Sequence, residues 1–350
     1  MAASSVPLRV AVLGASGYTG VELLRLLVAH PHVHIAALSA EKNAGQTLQA
    51  LWPQFVGKQL PVLQKIDQID FAEVDCVFCA LPHGLTQAVV RDLPKHLRII
   101  DLSADFRLKN IDDYAAWYGH VHEAPQLQAE AVYGLSEIYR HAIRRARLVA
   151  NPGCYPTSAQ LPLIPLLREK LVAGDAMIID SKSGVSGAGR EAKMGSLFCE
   201  VTEGIHAYGV ASHRHAPEID QGLSEAAGYQ IVATFTPHLM PMSRGILSTI
   251  YVSMTRGVTV EHIHHTLRNT YANSPFVHVL PPSHVPQTRH VRGTNHAHIG
   301  VVADRGAGRA IIVSVIDNLM KGASGQAVQN MNIMYDWPEE TALQHVALFP

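Results

Sequence analysis

Short apolar runs bounded by turn residues alternate with segments of helical spacing through the first half of the chain. Leu8 to Leu13 is an apolar run closed by Gly14, which predicts a buried parallel strand. Leucines and valines from Val21 to Val28 recur at helical spacing, so a helix follows. His34 to Ser39, Val74 to Ala80 and Arg98 to Leu102 predict further strands, with a helix near Thr86 to Leu93. Strands alternating with helices predict an α/β, doubly wound parallel sheet with right-handed crossovers. After Cys154 the texture changes. Ala176 to Asp180, Gln230 to Thr236, Ile246 to Thr255 and Ala310 to Ile316 are strand-like, with fewer helices between them. They predict an α+β domain on a mixed or antiparallel sheet. The boundary falls near Asn151 to Cys154, giving domains 1–153 and 154–322. Gly322 to Met334 reads as a closing helix, and 323–350 returns to the first domain.

Composition narrows the class. A chain of 350 residues exceeds one ordinary core, so two domains are expected. With 47% hydrophobic and 16% charged residues, it suits a soluble, compact, enzyme-like protein. The net charge is -1 and no basic block occurs, which argues against nucleic acid or an anionic membrane surface as partner. Met1 to Arg9 lacks the apolar core of a signal peptide, and no run approaches the roughly 20 apolar residues of a membrane span. Four cysteines are too few for a disulfide framework, so a reducing cytoplasm is expected. Histidines number 21, several closely spaced, but no segment carries three or four converging metal ligands. No metal is expected, and most histidines read as surface or loop residues.

Gly14-Ala-Ser16-Gly17-Tyr18-Thr19-Gly20 joins the first strand to the first helix. In that context glycines let the backbone approach a pyrophosphate, and the helix start supplies N–H groups and a positive dipole end. A Rossmann-type dinucleotide site is the expectation. The second strand ends at Ser39, with Lys42 close by, where NAD sites usually place an acid. That favours NADP over NAD, although Glu41 weighs the other way.

Cys154 follows Pro-Gly and precedes a helical stretch, Ser158 to Leu167. A thiol at a helix start lies in a field that favours its anion. Cys76 and Cys79 sit in a strand and point to opposite faces, and Cys199 reads as core. Ser183-Gly-Val-Ser186-Gly187-Ala188-Gly189-Arg190 is rich in small residues that could wrap a ligand. His213-Arg214-His215-Ala-Pro-Glu218 places two imidazoles beside a Pro-started helix. Residues i and i+2 do not share a helix face, so one His is expected to point at any given centre.

These motifs occur together with Asp101-Leu-Ser103-Ala-Asp-Phe-Arg107, Tyr133-Gly-Leu-Ser-Glu137, Asn151-Pro-Gly-Cys154-Tyr-Pro-Thr157, Thr236-Pro-His-Leu239, Arg244-Gly-Ile246 and Asp317-Asn318-Leu-Met-Lys-Gly322. In that order, over nearly the whole chain, they resemble the N-acetyl-γ-glutamyl-phosphate reductase family of arginine biosynthesis, relatives of the aspartate-semialdehyde dehydrogenases. The resemblance implies NADPH-dependent reduction of N-acetyl-L-glutamyl 5-phosphate to the semialdehyde through a thioester on Cys154. It implies proton transfer by His213 or His215 and substrate binding by Arg107, Ser103 and Arg244. It also implies a cofactor lined by the glycine loop, Ser39, Lys42, Ser186 to Gly189 and Asn318, and a second domain that carries catalysis and a homo-oligomer, dimer or tetramer. The dehydrogenases carry their catalytic His two residues after the arginine that aligns with Arg244. Ile246 stands there, so the proton carrier comes from elsewhere. Three rivals stay open: an aminoadipyl acyl phosphate as substrate, a non-catalytic NADP-binding module, and a zinc enzyme.

Overall fold

The structure is a computed structural model that describes residues 6–349. Met1 to Ser5, which belong to the segment read above for a leader, lie outside it. The chain divides into two compact units. One takes the described residues up to Pro152 with Ala323–Gln344; the other takes Gly153–Gly322 and the described residues from His345 on. The expected return of 323–350 to the first domain therefore stops at Gln344. Beyond it, the Leu348 N–H bonds the Arg292 carbonyl and Arg289 stacks over Phe349, which holds the chain end on the second unit.

In the first unit seven strands form one sheet: β1 Leu8–Leu13, β2 Val33–Ser39, β3 Leu63–Gln64, β4 Cys76–Cys79, β5 Arg98–Asp101, β6 Val132–Tyr133 and β7 Leu148–Ala150. The order is β3-β2-β1-β4-β5-β7-β6 and every pairing is parallel. The sheet is Rossmann-like, as the apolar runs indicated. Burial is continuous from Val10 to Leu13 in β1 and throughout β4, as in parallel sheets covered on both faces. Chain order reverses between β1 and β4, and ligands of such sheets bind beyond the strand ends at that point. Helix Tyr18–Leu27 follows β1. The closing helix is Gly325–Met334, all ten residues buried.

The second unit is built on β8 Ile178–Gly184, β9 His206–Ala207, β10 Thr234–Met240, β11 Ile246–Ser253, β12 Val277–Val279, β13 Ala297–Ala303 and β14 Arg309–Ile316. The order is β12-β13-β14-β11-β8-β10-β9, and the sheet is mixed, with β8–β10 and β12–β13 parallel and the other pairs antiparallel. Burial alternates along β10 and β11, the mark of a sheet covered on one face. Helix Cys154–Arg168 packs on β11 and β14 and is flanked by helices Ala216–Ala227 and Val260–Thr270. Its register is pinned inside the core: Ser158 Oγ donates to Ser248 Oγ at 2.9 Å. Cys154 lies one turn before that anchor.

Candidate active site

In the first unit the glycine loop is held from below. Gly14 has φ +85°, and a Cβ there would sit 2.3 Å from the Ala80 carbonyl oxygen, so no other residue fits. Gly14 and Ala15 N–H groups donate to the Ser39 carbonyl at 3.1 and 2.8 Å, and Ser39 Oγ accepts from Gly14 N–H at 3.2 Å. Ser39 is thus 1% exposed and shapes the loop. Trp52 Nε1 donates to the Ser16 carbonyl and Ser324 Oγ to that of Thr19. The helix from Tyr18 has no side-chain cap at Gly17 and no acid in its first turn. Its first N–H groups and positive end therefore stay available to an anion. Gly20 lies within the first turn of that helix. Glu41 accepts the Ile66 N–H at 3.0 Å, and Lys42 beside it is exposed.

The Asp101 to Arg107 segment forms a buried polar knot. Asp101 accepts from the Ser103 N–H and hydroxyl at 2.9 and 2.8 Å, and burial, then the charge of Asp105, pushes its carboxyl up to about 7. Arg107, 8% exposed, donates from Nε to the Asn151 carbonyl and from Nη2 to the Leu102 carbonyl, both at 2.9 Å. Asn151 is saturated. Its N–H donates to Asp101 O at 2.7 Å, its Oδ1 accepts from Asn330 Nδ2 at 3.1 Å, and its Nδ2 donates to Ala323 O at 3.2 Å. Ser103 and Arg107 therefore brace the strand that leads to the cysteine.

In the second unit Cys154 is the first residue of its helix, four residues earlier than the sequence pattern placed the start. The thiol is half-buried. Gly322 lies so close that a Cβ there would come within 2.7 Å of Cys154 Cβ. Gly153 N–H donates to Glu218 Oε1 at 2.8 Å, and Glu218 is 1% exposed.

His213 and His215 both precede the helix, which starts at Ala216, so the argument from helix faces does not apply to them. Their rings stack edge to face at 4.9 Å, and both lie against Tyr155, at 5.5 and 5.9 Å. Both imidazoles therefore lie against the same ring. The His215 N–H donates to His213 Nδ1 at 3.1 Å, which puts the His213 ring proton on Nε2. Burial, then Arg214, pushes His213 down to about 4.

Arg244 reaches the buried Asp317 at 3.4 Å, and Asp317 also accepts the Gly293 and Leu319 N–H groups. Asn318 accepts the Gly245 N–H at 2.8 Å and donates to Ser186 Oγ at 2.9 Å. Backbone bonds from Val185 and Ser186 to Met242 and Ser243 fix the turn that continues through Gly187 and Ala188 to Gly189. Ser186, Asn318 and Arg244 thus belong to one bonded network.

Glu218, Tyr155, Tyr208 and Asp317 were not singled out from sequence. Each lay inside a quoted motif or beside one, but only the fold shows what they touch. Cys199 is exposed rather than core, because its short helix Phe198–Val201 packs little. Most of the closely spaced histidines were expected at the surface or in loops, but His122 and His264 are buried and bond Asp105 O and Leu280 O; His30 is buried too and bonds Asn332. Among the described residues no group of three or more His, Cys, Asp or Glu is arranged to hold a metal ion. No described helix is long and apolar enough to cross a membrane.

Residues 9–146 match the model for the NAD-binding domain of semialdehyde dehydrogenases, and residues 154–318 that for their dimerisation domain. A Rhodospirillum rubrum protein named N-acetyl-gamma-glutamyl-phosphate reductase is 60% identical over 346 residues, 97% of this chain and 98% of its own. A chloroplastic protein of Oryza sativa, named as a probable enzyme of the same kind, is 56% identical over 347 residues, 99% of this chain and 84% of its own. Among solved structures, aspartate semialdehyde dehydrogenase II from Vibrio cholerae superposes with a TM-score of 0.73 at 18% identity, covering 95% of this chain and 99% of that one. The NADP-bound Candida albicans enzyme does so at 0.70 and 16%, covering 94% and 98%. At those identities the likeness is one of fold.

Proposed function

The chain belongs to the N-acetyl-γ-glutamyl-phosphate reductase family and is an oxidoreductase, and on that footing we propose that it reduces N-acetyl-L-glutamyl 5-phosphate to the 5-semialdehyde through a thioester on Cys154, with NADPH. The observation that carries the reading is the placing of Cys154 as the first residue of a buried helix, with Gly153 tied to Glu218 and two imidazoles against Tyr155. The Cys154 thiolate attacks the acyl carbon, phosphate leaves with its electron pair, and the acyl group stays on sulfur. Arg107 and Arg244 are the cations assigned to the substrate's anionic groups.

Gly14, Ser16 to Gly20 and Lys42 of the first unit would hold the cofactor, with Ser39 shaping their loop from below rather than touching it, and Ser186 to Gly189 and Asn318 are the residues proposed for it in the second unit. The fit is good: the Gly14 cradle admits no side chain, the helix start at Gly17 is uncapped, and Glu41 is spent on Ile66 while Lys42 remains for a 2′-phosphate. NADPH, when bound, supplies the hydride.

Between the two histidines the geometry favours His215 as the proton carrier. His213 has its Nδ1 occupied by a backbone N–H and stays neutral, so it serves as a fixed donor from Nε2. His215 would take or return the proton as the thiolate forms and is released, a step usually worth about 10²–10⁴-fold. Assembly as a homo-oligomer, dimer or tetramer, and a cytoplasmic setting with its four cysteines free complete the reading.

The test is phosphate- or arsenate-dependent oxidation of N-acetylglutamate semialdehyde with NADP, set beside N-acetylaminoadipate semialdehyde. Preference for the shorter substrate supports the reading, and preference for the longer one overturns its substrate.

A further inference from the structure

Two tyrosines of the second unit, one next to Cys154 in the helix and one hydrogen-bonded to the first, are used by no step above. Tyr155 follows it in the helix and is 2% exposed. Tyr208 comes from the stretch just after edge strand β9, where its N–H donates to the Pro237 carbonyl at 3.1 Å. The two hydroxyl oxygens are 2.9 Å apart, and Tyr155 OH also reaches the His238 carbonyl at 3.5 Å. The Thr236-Pro-His-Leu239 motif, so far without a role, thus meets the Tyr208 backbone and the Tyr155 hydroxyl through consecutive carbonyls. His213 packs on both rings, at 5.5 Å from Tyr155 and 5.4 Å from Tyr208. Burial first, and for both a negative charge on Cys154 further down, raises their pKa values, that of Tyr208 to about 12. Both hydroxyls therefore remain protonated donors.

From this geometry we infer that Tyr208 is a catalytic hydrogen-bond donor to the oxyanion of each tetrahedral adduct on Cys154, and that Tyr155 is the residue that positions it. With Tyr155 donating to the Tyr208 oxygen rather than to the more distant His238 carbonyl, the Tyr208 proton is directed away from Tyr155 and is available to an oxyanion. Attack by sulfur on the acyl carbon moves the carbonyl π pair onto oxygen. Tyr208 holds that charge by a hydrogen bond, without transferring its proton. When the carbonyl re-forms, the C–O or C–S bond breaks and the leaving phosphate or thiolate takes the pair. A fixed donor aimed at developing charge acts without reorganisation, and losing one typically costs about 10²–10³-fold in kcat.

The inference rests on the covalent reading of Cys154, and the experiment separates the two. Tyr208→Phe, Tyr155→Phe and the double variant are compared with Cys154→Ala in NADP-linked oxidation of the semialdehyde, with the rate of Cys154 alkylation by iodoacetamide as a second readout. The expected result is a kcat loss of about 10²-fold in Tyr208→Phe, with NADP KM and alkylation rate within about twofold of wild type. Tyr155→Phe should lose less, and the double variant no more than Tyr208→Phe alone. Wild-type kcat in Tyr208→Phe, with Cys154→Ala inactive, overturns the tyrosine role and leaves the thioester standing. A loss matched by slower alkylation or weaker NADP binding makes the role structural and overturns it also. Turnover retained in Cys154→Ala overturns the covalent reading itself.

Discussion

The backbone N–H of Gly153 donates to Oε1 of Glu218 over 2.8 Å, while the carbonyl of the same glutamate accepts from Nε2 of Gln160 at 2.7 Å. A buried carboxylate from helix Ala216–Ala227 therefore fixes the entrance to helix Cys154–Arg168, one residue before the nucleophile. Glu218→Ala is expected to cost about 1.5–3 kcal/mol of stability, the range for hydrogen bonds to charged groups, and to lower kcat. Glu218→Gln keeps an acceptor in place and should lose less of both. Thermal melts and steady-state kinetics of the two variants check this.

Gly322 gives a sharper steric prediction. A Cβ at 322 would stand 2.7 Å from Cys154 Cβ, well inside contact distance. Gly322→Ala should reduce turnover at least about tenfold while the first unit keeps its cofactor affinity, since a displacement on the order of 1 Å at a reacting group can cost far more. NADP binding by fluorescence, read beside kcat, separates the two effects.

Asn330 donates to Gly134 O at 2.8 Å and to Asn151 Oδ1 at 3.1 Å, and accepts from Ser136 Oγ at 2.8 Å. Asn330→Ala leaves those partners buried without it, and each abandoned buried group costs about 1–3 kcal/mol. The expected outcome is a loss of at least about 2 kcal/mol in denaturant unfolding. Asn330→Asp, which keeps one acceptor and removes the donor, should fall close to the alanine variant.

Acid should loosen the fold through histidines. Burial is the first cause that lowers His213, His296 and His298, each to about 4 against an ordinary 6.5. Between pH 6.5 and 4 the unfolded chain binds protons that the folded chain refuses, so stability rises with pH across that window and is lost as pH falls through it. Asp101, raised to about 7, works in the opposite sense: the folded chain holds its proton longer, and that contribution fades as pH rises toward 7. The denaturant midpoint followed from pH 6.5 to 4 should show a flatter decline in a His296→Gln, His298→Gln variant than in wild type.

Much of this was legible in the chain. Short apolar runs such as Val10 to Leu13 and Cys76 to Cys79 identify buried strands, whereas the single buried face of Ile246 to Ser253 was not legible, because Ser248 sits on that face and Leu247 and Tyr251 on the other. The glycine loop could be read because its spacing has one physical use between a strand and a helix. What stayed hidden depended on distance across the fold. Nothing local tells Glu218 from any other glutamate in a first turn, yet it meets Gly153, 65 residues away. Tyr208 and Tyr155, 53 residues apart, meet only through strand pairing. Cys199 was misread because an apolar neighbourhood in sequence, Leu197 to Val201, does not ensure a partner to bury it. His213 and His215 lie before Ala216, so the rule for helix faces does not reach them and only the fold brings both to Tyr155.

The central claim is a covalent acyl group on Cys154. The most direct measurement is intact-protein mass spectrometry after mixing the enzyme with N-acetylglutamyl phosphate in the absence of NADPH. The account predicts a single N-acetylglutamyl adduct, mapped by proteolysis to the peptide containing Cys154, lost on adding NADPH and missing from Cys154→Ala. NADPH-dependent semialdehyde formation by Cys154→Ala at the wild-type rate, or an adduct on another residue that persists in that variant, would contradict it.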